Sequence, residues 1–595
     1  MLQINSGKLY TRGVGRTNQL RGVLYSNLEL CYGKDVPTVA GTLRETDGIR
    51  GNRAIVYEIE ERIEAAEAGP GILISHTIAP FLTDFSALAS FGLRAIVSPD
   101  AAVVERLTSK GPGFASYDPP SKFALRYFDE RLPLRDDEIA LFSAFVDQLI
   151  ALDRKSFLAA MRAIRTFVTG LHRMRDDLAL AYTLFVSAVE SLAQEFDGYS
   201  THWHDVDERK RGPVDKALAK ASARTRDGVR EAIRSTEHAS LARRYRAFVL
   251  NHVGGDYFRA SGLVPGAAIA RHELEEALRQ AYAHRSRYVH NLRELPDALT
   301  LAQGHREVAE VDRRPVLSFE GLIRLTHHVI SAFVATGNTV EHEPYDYMME
   351  QSGVVMAPLA PELWVGRPLR KAKDARQRLE GHLSQIVPLL AGKQKATITD
   401  LRPIYPDIER LAKSSGAANR TTLLTLYTLF AALMSKDDRS ERLDALLQQH
   451  SAKIGEPSSE ALVMGTLFGS LDAWPLETHK ETLERYFEQR SKPGGLHAPK
   501  LLDAAMCFAL AERCRKERDF DAALDWIGRA VETHPGLPAV VALESDFSQR
   551  RKIDWQSVLL PKLTKPKRRR RTKQNKPSGG SKKGAPAPDC KAGNS

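Results

Sequence analysis

Between Leu178 and Phe196 the large apolar residues Leu178, Tyr182, Phe185, Val189, Leu192 and Phe196 follow one another at steps of 4, 3, 4, 3 and 4. That spacing keeps them on one face of an α-helix and scatters them over both faces of a strand. A helix so patterned must lay its face on a core. A second stripe, Phe319, Leu322, Ile323, Val329, Ile330 and Phe333, repeats the constraint. Charged helical stretches near 213–251 and a helix from Arg271 to about Glu294 lie between the two. The region 150–343 therefore reads as a helical bundle.

The flanking regions read differently, and together they give a mainly α chain with an N-terminal α/β part. Over residues 1–125, AIVYEIEERIE at Ala54, GILISHT at Gly71 and LRAIVSP at Leu93 suit short strands, whereas Asp84–Phe91 and Asp100–Ser109 suit helices. AGPG at Ala68 and KGPG at Lys110 are turn signals. The stretch 344–372, rich in Pro, Gly and Met, reads as a linker. Beyond it, in 373–555, Thr421–Met434, Arg439–His450, Ser458–Leu471 and Lys480–Gln489 alternate helices with short breaks, the rhythm of antiparallel helix pairs. Leu510, Ala511, Ala523, Ile527, Ala530 and Pro535 fall where a tetratricopeptide repeat places its packing residues. That stretch resembles one such repeat, which implies a helical solenoid able to hold a protein partner.

The formal charge of +11 is a local property. Residues 561–595 carry twelve Lys and Arg against the single Asp589, and the rest of the chain is balanced. With few large apolar residues and dense like charge, 556–595 reads as a disordered basic tail. Lys567, Arg568, Arg569, Arg570 and Arg571 are its candidate RNA contacts, attracting phosphates without reading sequence. No apolar run is long enough to cross a bilayer and no signal segment opens the chain, so the expectation is a cytoplasmic protein without a membrane partner. The four cysteines show no C-x-x-C spacing.

Chemistry-bearing motifs are few. No Walker-type loop, H-E-x-x-H or G-x-S-x-G is present, and no cofactor is expected. His202-Trp203-His204-Asp205 has the residue types of a metal site, but no second ligand cluster follows; it reads as a solvated loop, and no metal is assigned. Arginine, four residues, histidine occurs three times: Arg279 with His284, Arg285 with His290, and Arg529 with His534. Arg279 and His284 read as solvated. Arg285 differs, because it completes the stripe Leu274, Leu278, Ala281, Val289, Leu292 where a core residue belongs. A guanidinium there must be held by a carboxylate, such as Glu190, or offered to a phosphate. His290 lies roughly 140° around the helix from Arg285. The two can act together only if the helix bends or a second copy of the chain supplies one of them.

R-S-R-Y-V-H-N at Arg285–Asn291, downstream of Y-T-L-F-V-S-A-V-E-S-L-A at Tyr182–Ala193, resembles the signature of the HEPN superfamily, in particular its Apea-like branch. The resemblance implies a dimeric helical bundle acting as a metal-independent endoribonuclease in antiviral defence or a toxin response, leaving 2′,3′-cyclic phosphate ends. Arg285 and His290 match the catalytic pair, with Ser286, Arg287, Glu190 and Asn291 in support. Ser286 and Asn291 depart from the residues usual in the family. The chemistry is available: the RNA 2′-hydroxyl is the nucleophile, a histidine titrating near pH 6.5 moves the proton, and a guanidinium steadies the phosphate. The expected partners are RNA and a second copy of the chain. The rival is a non-catalytic HEPN scaffold that dimerises and binds nucleic acid.

Overall fold

The computed structural model describes residues 1–30, 34–46, 54–65, 76–109, 118–196, 202–203, 206, 208–236, 241–260, 263–302, 304–351, 359–547 and 551–561. They are mainly helical, with a small sheet near the N-terminus. The chain divides into two units, Met1–Met356 and Ala357–Ser595. The expected strand and turns at 68–75, the turn at Lys110, and the basic tail beyond 561 with Lys567–Arg571 lie outside the described residues. The start of the expected tail is corrected: Trp555–Leu559 is a helix, and Leu559 and Leu560 are buried in the second unit's core, which their apolar side chains favour.

In the first unit the strands β1 (Val14–Ser26), β2 (Leu28–Glu29), β3 (Val36–Thr38), β4 (Gly41–Glu45), β5 (Ala54–Glu64) and β6 (Val97–Ser98) precede β7 (Leu132–Pro133). Five of them form a sheet in the order β3-β4-β5-β1-β6, with β1 antiparallel to β5 along its whole length, Val23 facing Val56. LRAIVSP at Leu93 contributes only the two residues of β6. The helices Ala79–Gly92 and Ala101–Thr108 lie where the sequence places them, the second capped by the Asp100 carboxylate on the Ala102 N–H. The long β1 escapes a sequence reading: V-G-R-T-N-Q-L-R-G-V-L-Y-S holds five apolar residues spread between two glycines and two arginines, and its outer end, from Val14 to Thr17, is exposed.

The sheet and the helices of 150–343 share one core. Phe91, on the helix that covers the sheet, stacks on His327 at 4.4 Å and meets Phe167 edge-on at 5.4 Å. Buried Lys8 donates to the Ala151 and Leu152 carbonyls at the end of the helix Asp136–Ala151, at 2.5 and 2.6 Å. Leu178–Phe196 is one helix, antiparallel to Arg154–Arg173. Gly170 allows their close approach, since a Cβ there would stand 2.7 Å from the Phe185 ring. Both apolar stripes face the core. A hairpin of β8 (Val308–Val311) and β9 (Arg314–Leu317) interrupts the bundle, turning through Asp312 and Arg313, both at positive φ.

The described residues of the second unit form helices joined by loops, with no strand among them. The expected helices appear as Ala417–Ala431, Glu441–Gln449, Ser459–Phe468 and Leu476–Arg490, joined by Ala375–Leu390 and Tyr405–Ser414. Lys500–Lys516 and Phe520–Thr533 form an antiparallel pair in which Leu510, Ala511, Ala523, Ile527 and Ala530 are buried. Cys507 and Cys514 pack in the same core as free thiols. No helix among the described residues is long and apolar enough to cross a membrane.

Candidate functional site

The helix Arg271–Asn291 begins where the Glu273 carboxylate accepts the Ala270 N–H at 2.8 Å. It runs unbroken to Asn291 and is closed by Leu292, whose φ of 50° lets its N–H return to the Tyr288 carbonyl. Two tyrosines tie it to Leu178–Phe196. Tyr282 donates to Glu190 at 2.8 Å, and Tyr288 donates at 3.2 Å to Asp177, whose other oxygen accepts the Leu180 N–H.

Leu274, Leu278 and Ala281 are buried as the periodicity requires, but Val289 and Leu292 are not; they are 46% and 75% exposed. The inward place in that last stretch belongs to Tyr288, and Leu292 has already left the helix. The assignment of His284 to the solvated side is also corrected. Only 5% exposed, it stands edge-on to Tyr182, and burial, aided by the charge of Arg287, pushes its pKa down to about 4. Arg279 is exposed and paired with Glu276.

Arg285 is held by Glu190, 2.5 Å away, with side-chain exposures of 18% and 4%. Its guanidinium also sits 5.6 Å from the Tyr282 ring centroid. Glu190 thus collects one guanidinium and one phenol, one on each oxygen. Burial and the charge of Glu190 push the Tyr282 pKa well up, so Tyr282 is a permanent donor to that carboxylate. The Arg285 Nε is buried without a hydrogen-bond partner. Burying a guanidinium edge is tolerable here only because the other edge is ion-paired.

His290 does not join this cluster. It is exposed in the final turn, with Val289 and Leu292 exposed on either side. Five residues along an unbroken helix leave it about 140° from Arg285. No bend brings the pair together within one chain. Ser286 is half-buried, and Arg287 and Asn291 are exposed. Sequence reasoning missed Tyr282, although its place three residues before Arg285 puts both on one helical face.

His204 and Asp205 of the histidine-rich stretch lie outside the described residues. The Trp203 indole donates to Asp215, which Arg230 also binds at 2.6 Å. Among the described residues no group of three or more His, Cys, Asp or Glu is placed to hold a metal ion. No protein-family model, curated protein or solved structure matches the chain.

Proposed function

We propose that the helix Arg271–Asn291 carries one half of a metal-independent RNA-cleaving site of the HEPN type, completed by a second copy of the chain. The observation that carries this reading is a fixed guanidinium, Arg285 on buried Glu190, combined with a solvent-facing His290 on the same helix beside two exposed apolar residues. Val289 and Leu292 are apolar surface of the sort a partner chain covers. A two-fold pairing there brings His290 of one copy to the Arg285 of the other.

In this reading the Arg285 N–H groups not spent on Glu190 bind the non-bridging phosphate oxygens. Glu190 fixes their direction, and they need no reorganisation as charge builds on the phosphate. His290 takes the proton from the 2′-hydroxyl, the 2′-oxygen attacks phosphorus, the P–O5′ bond breaks, and the leaving 5′-oxygen takes a proton from water, to which His290 then returns its own. The products are a 2′,3′-cyclic phosphate and a 5′-hydroxyl. DNA lacks the nucleophile and is spared. The resemblance to the HEPN superfamily suggests a setting in defence or a toxin response, with the helical repeats and basic tail recruiting RNA or a protein partner.

A second reading is favoured by the same ion pair. Glu190 neutralises Arg285, as it would in a bundle that dimerises and binds nucleic acid without cutting it. End-labelled RNA incubated with the protein and a chelator separates the two. Cleavage lost in both Arg285→Ala and His290→Ala, by about 100-fold or more, supports the nuclease. Binding without cleavage by the wild type leaves the scaffold.

A further inference from the structure

Away from the Arg285 helix face, the first unit holds a partly open cavity of about 330 Å3 where the end of the helix Ala79–Gly92, the loop 125–127, residues 256–260 and 263–268, and the helix Phe319–Thr336 meet. That volume is at the lower end of the range for small-molecule sites, about 300–1,000 Å3. One wall is rigid. Arg324 forms a two-pronged pair with Glu307, donates to the Tyr257 carbonyl at 3.1 Å, and stacks 3.7 Å over the Tyr257 ring. Glu307, 4% exposed, also accepts the Ile269 N–H at 2.9 Å.

Several polar groups at the cavity are left unspent. The hydroxyl of Tyr257, a residue 1% exposed, has no hydrogen-bond partner. The hydroxyl of Tyr127, also 1% exposed, has only the Arg94 guanidinium beside it. The His305 Nδ1 is buried and stands 3.8 Å from Glu320, beyond hydrogen-bond reach. Buried polar groups are paired in the great majority of proteins, so several around one cavity call for an occupant. Leu125 and Ile323 supply apolar surface beside them.

The charges indicate what kind of occupant. Arg324 is neutralised by Glu307, and His327 and His328 are held neutral by burial. Arg94 makes no close ion pair among the described residues, although its charge acts on the Tyr127 hydroxyl and on Glu320, which lines the cavity with Asp256. It also sits at φ 53°, just past the helix end, where glycine is the usual residue. His305, at φ 60°, is a second lining residue in that region. Backbone strain of this kind persists where the surroundings hold it and a side chain is needed.

We propose that this cavity binds a nucleoside monophosphate, with the phosphate on Arg94 and the polar edge of the base on Tyr127, Tyr257, His305 and Glu320. The ligand must combine an anion for a guanidinium that lacks a close ion pair with a flat ring that has apolar faces and a hydrogen-bonding rim. The site shares no residue with Glu190, Arg285 or His290, so it stands or falls independently of the ribonuclease reading.

The experiment is calorimetric titration of the full chain with AMP, GMP, CMP and UMP separately, with inorganic phosphate and the matching nucleosides as partial ligands. Saturable binding of at least one monophosphate is expected, stronger than either of its parts. Arg94→Gly should weaken it about 10- to 100-fold while raising the unfolding temperature of the empty protein, because glycine suits that backbone. Tyr257→Phe should weaken it about 3- to 10-fold, and Arg279→Ala should leave it unchanged. No binding of any monophosphate at millimolar concentration overturns the proposal and leaves a water-filled cavity. Phosphate alone binding as tightly as the monophosphate overturns the ligand class. Unchanged binding in both Arg94→Gly and Tyr257→Phe overturns the location.

Discussion

Arg285 is the residue whose environment the sequence comes nearest to stating. A guanidinium on an otherwise apolar stripe has few solutions, and Glu190 was the acid placed to pair with it; the two are 2.5 Å apart. What the stripe does not tell is the price of separating them. Glu190→Ala strands Arg285 and the Tyr282 hydroxyl at once and should cost about 2–4 kcal/mol in urea unfolding. Glu190→Met combined with Arg285→Met removes both charges and should cost clearly less than the sum of the single changes. Strict additivity would mean that the pair is not coupled. His290, by contrast, was legible only as a residue type. Its distance from the cluster follows from helix geometry, but its exposure and that of Val289 depend on where the bundle stops covering the helix.

At the scale of elements, long periodic helices were readable and short or polar elements were not. Leu178–Phe196 and Phe319–Thr336 follow their stripes because a face of six large apolar residues has one way to be buried. The helix Arg271–Asn291 departs from its stripe toward its end. A repeat of 3.6 residues drifts against any fixed pattern, so after Ala281 the buried face passes through His284 and Tyr288, and Val289 falls outside it. The β8–β9 hairpin was invisible for a different reason. Its strands have four residues each, and the turn puts Asp312 and Arg313 at positive φ where Asn-Gly or Asp-Gly is the recognisable signal. The cavity beside it is assembled from Arg94, Tyr127, Tyr257, His305 and Glu320, residues so far apart in the chain that no spacing rule could join them.

For the whole molecule, buried titratable groups decide the response to acid. Burial pushes His172, His284, His382 and His479 down to about 4, and His327 to about 3. Each such histidine binds its proton more readily unfolded, so stability is lost as pH falls from about 6.5 toward 4. Glu320 and Asp503 work the other way. Burial raises them to about 7 and about 6, Glu320 despite the Leu125 N–H and the charges of Arg94 and Arg324, and Asp503 despite Tyr486 and Arg490. A raised acid favours the fold below its shifted pKa, but these are two groups against five. Scanning calorimetry should therefore find lower unfolding temperatures at pH 4.5 than at pH 7. Equal or higher temperatures at pH 4.5 would show that the buried histidines are not held neutral.

Mixing two inactive variants tests most directly the proposal that Arg285 and His290 cut RNA across a two-fold pairing of chains. Arg285→Ala and His290→Ala should each fail to cleave end-labelled RNA. After equimolar mixing and exchange, half of the dimers are hybrids with one intact site of two, so about one quarter of wild-type cleavage should return. A mixture that stays inactive although hybrid dimers form, beside an active wild type, would contradict the shared site.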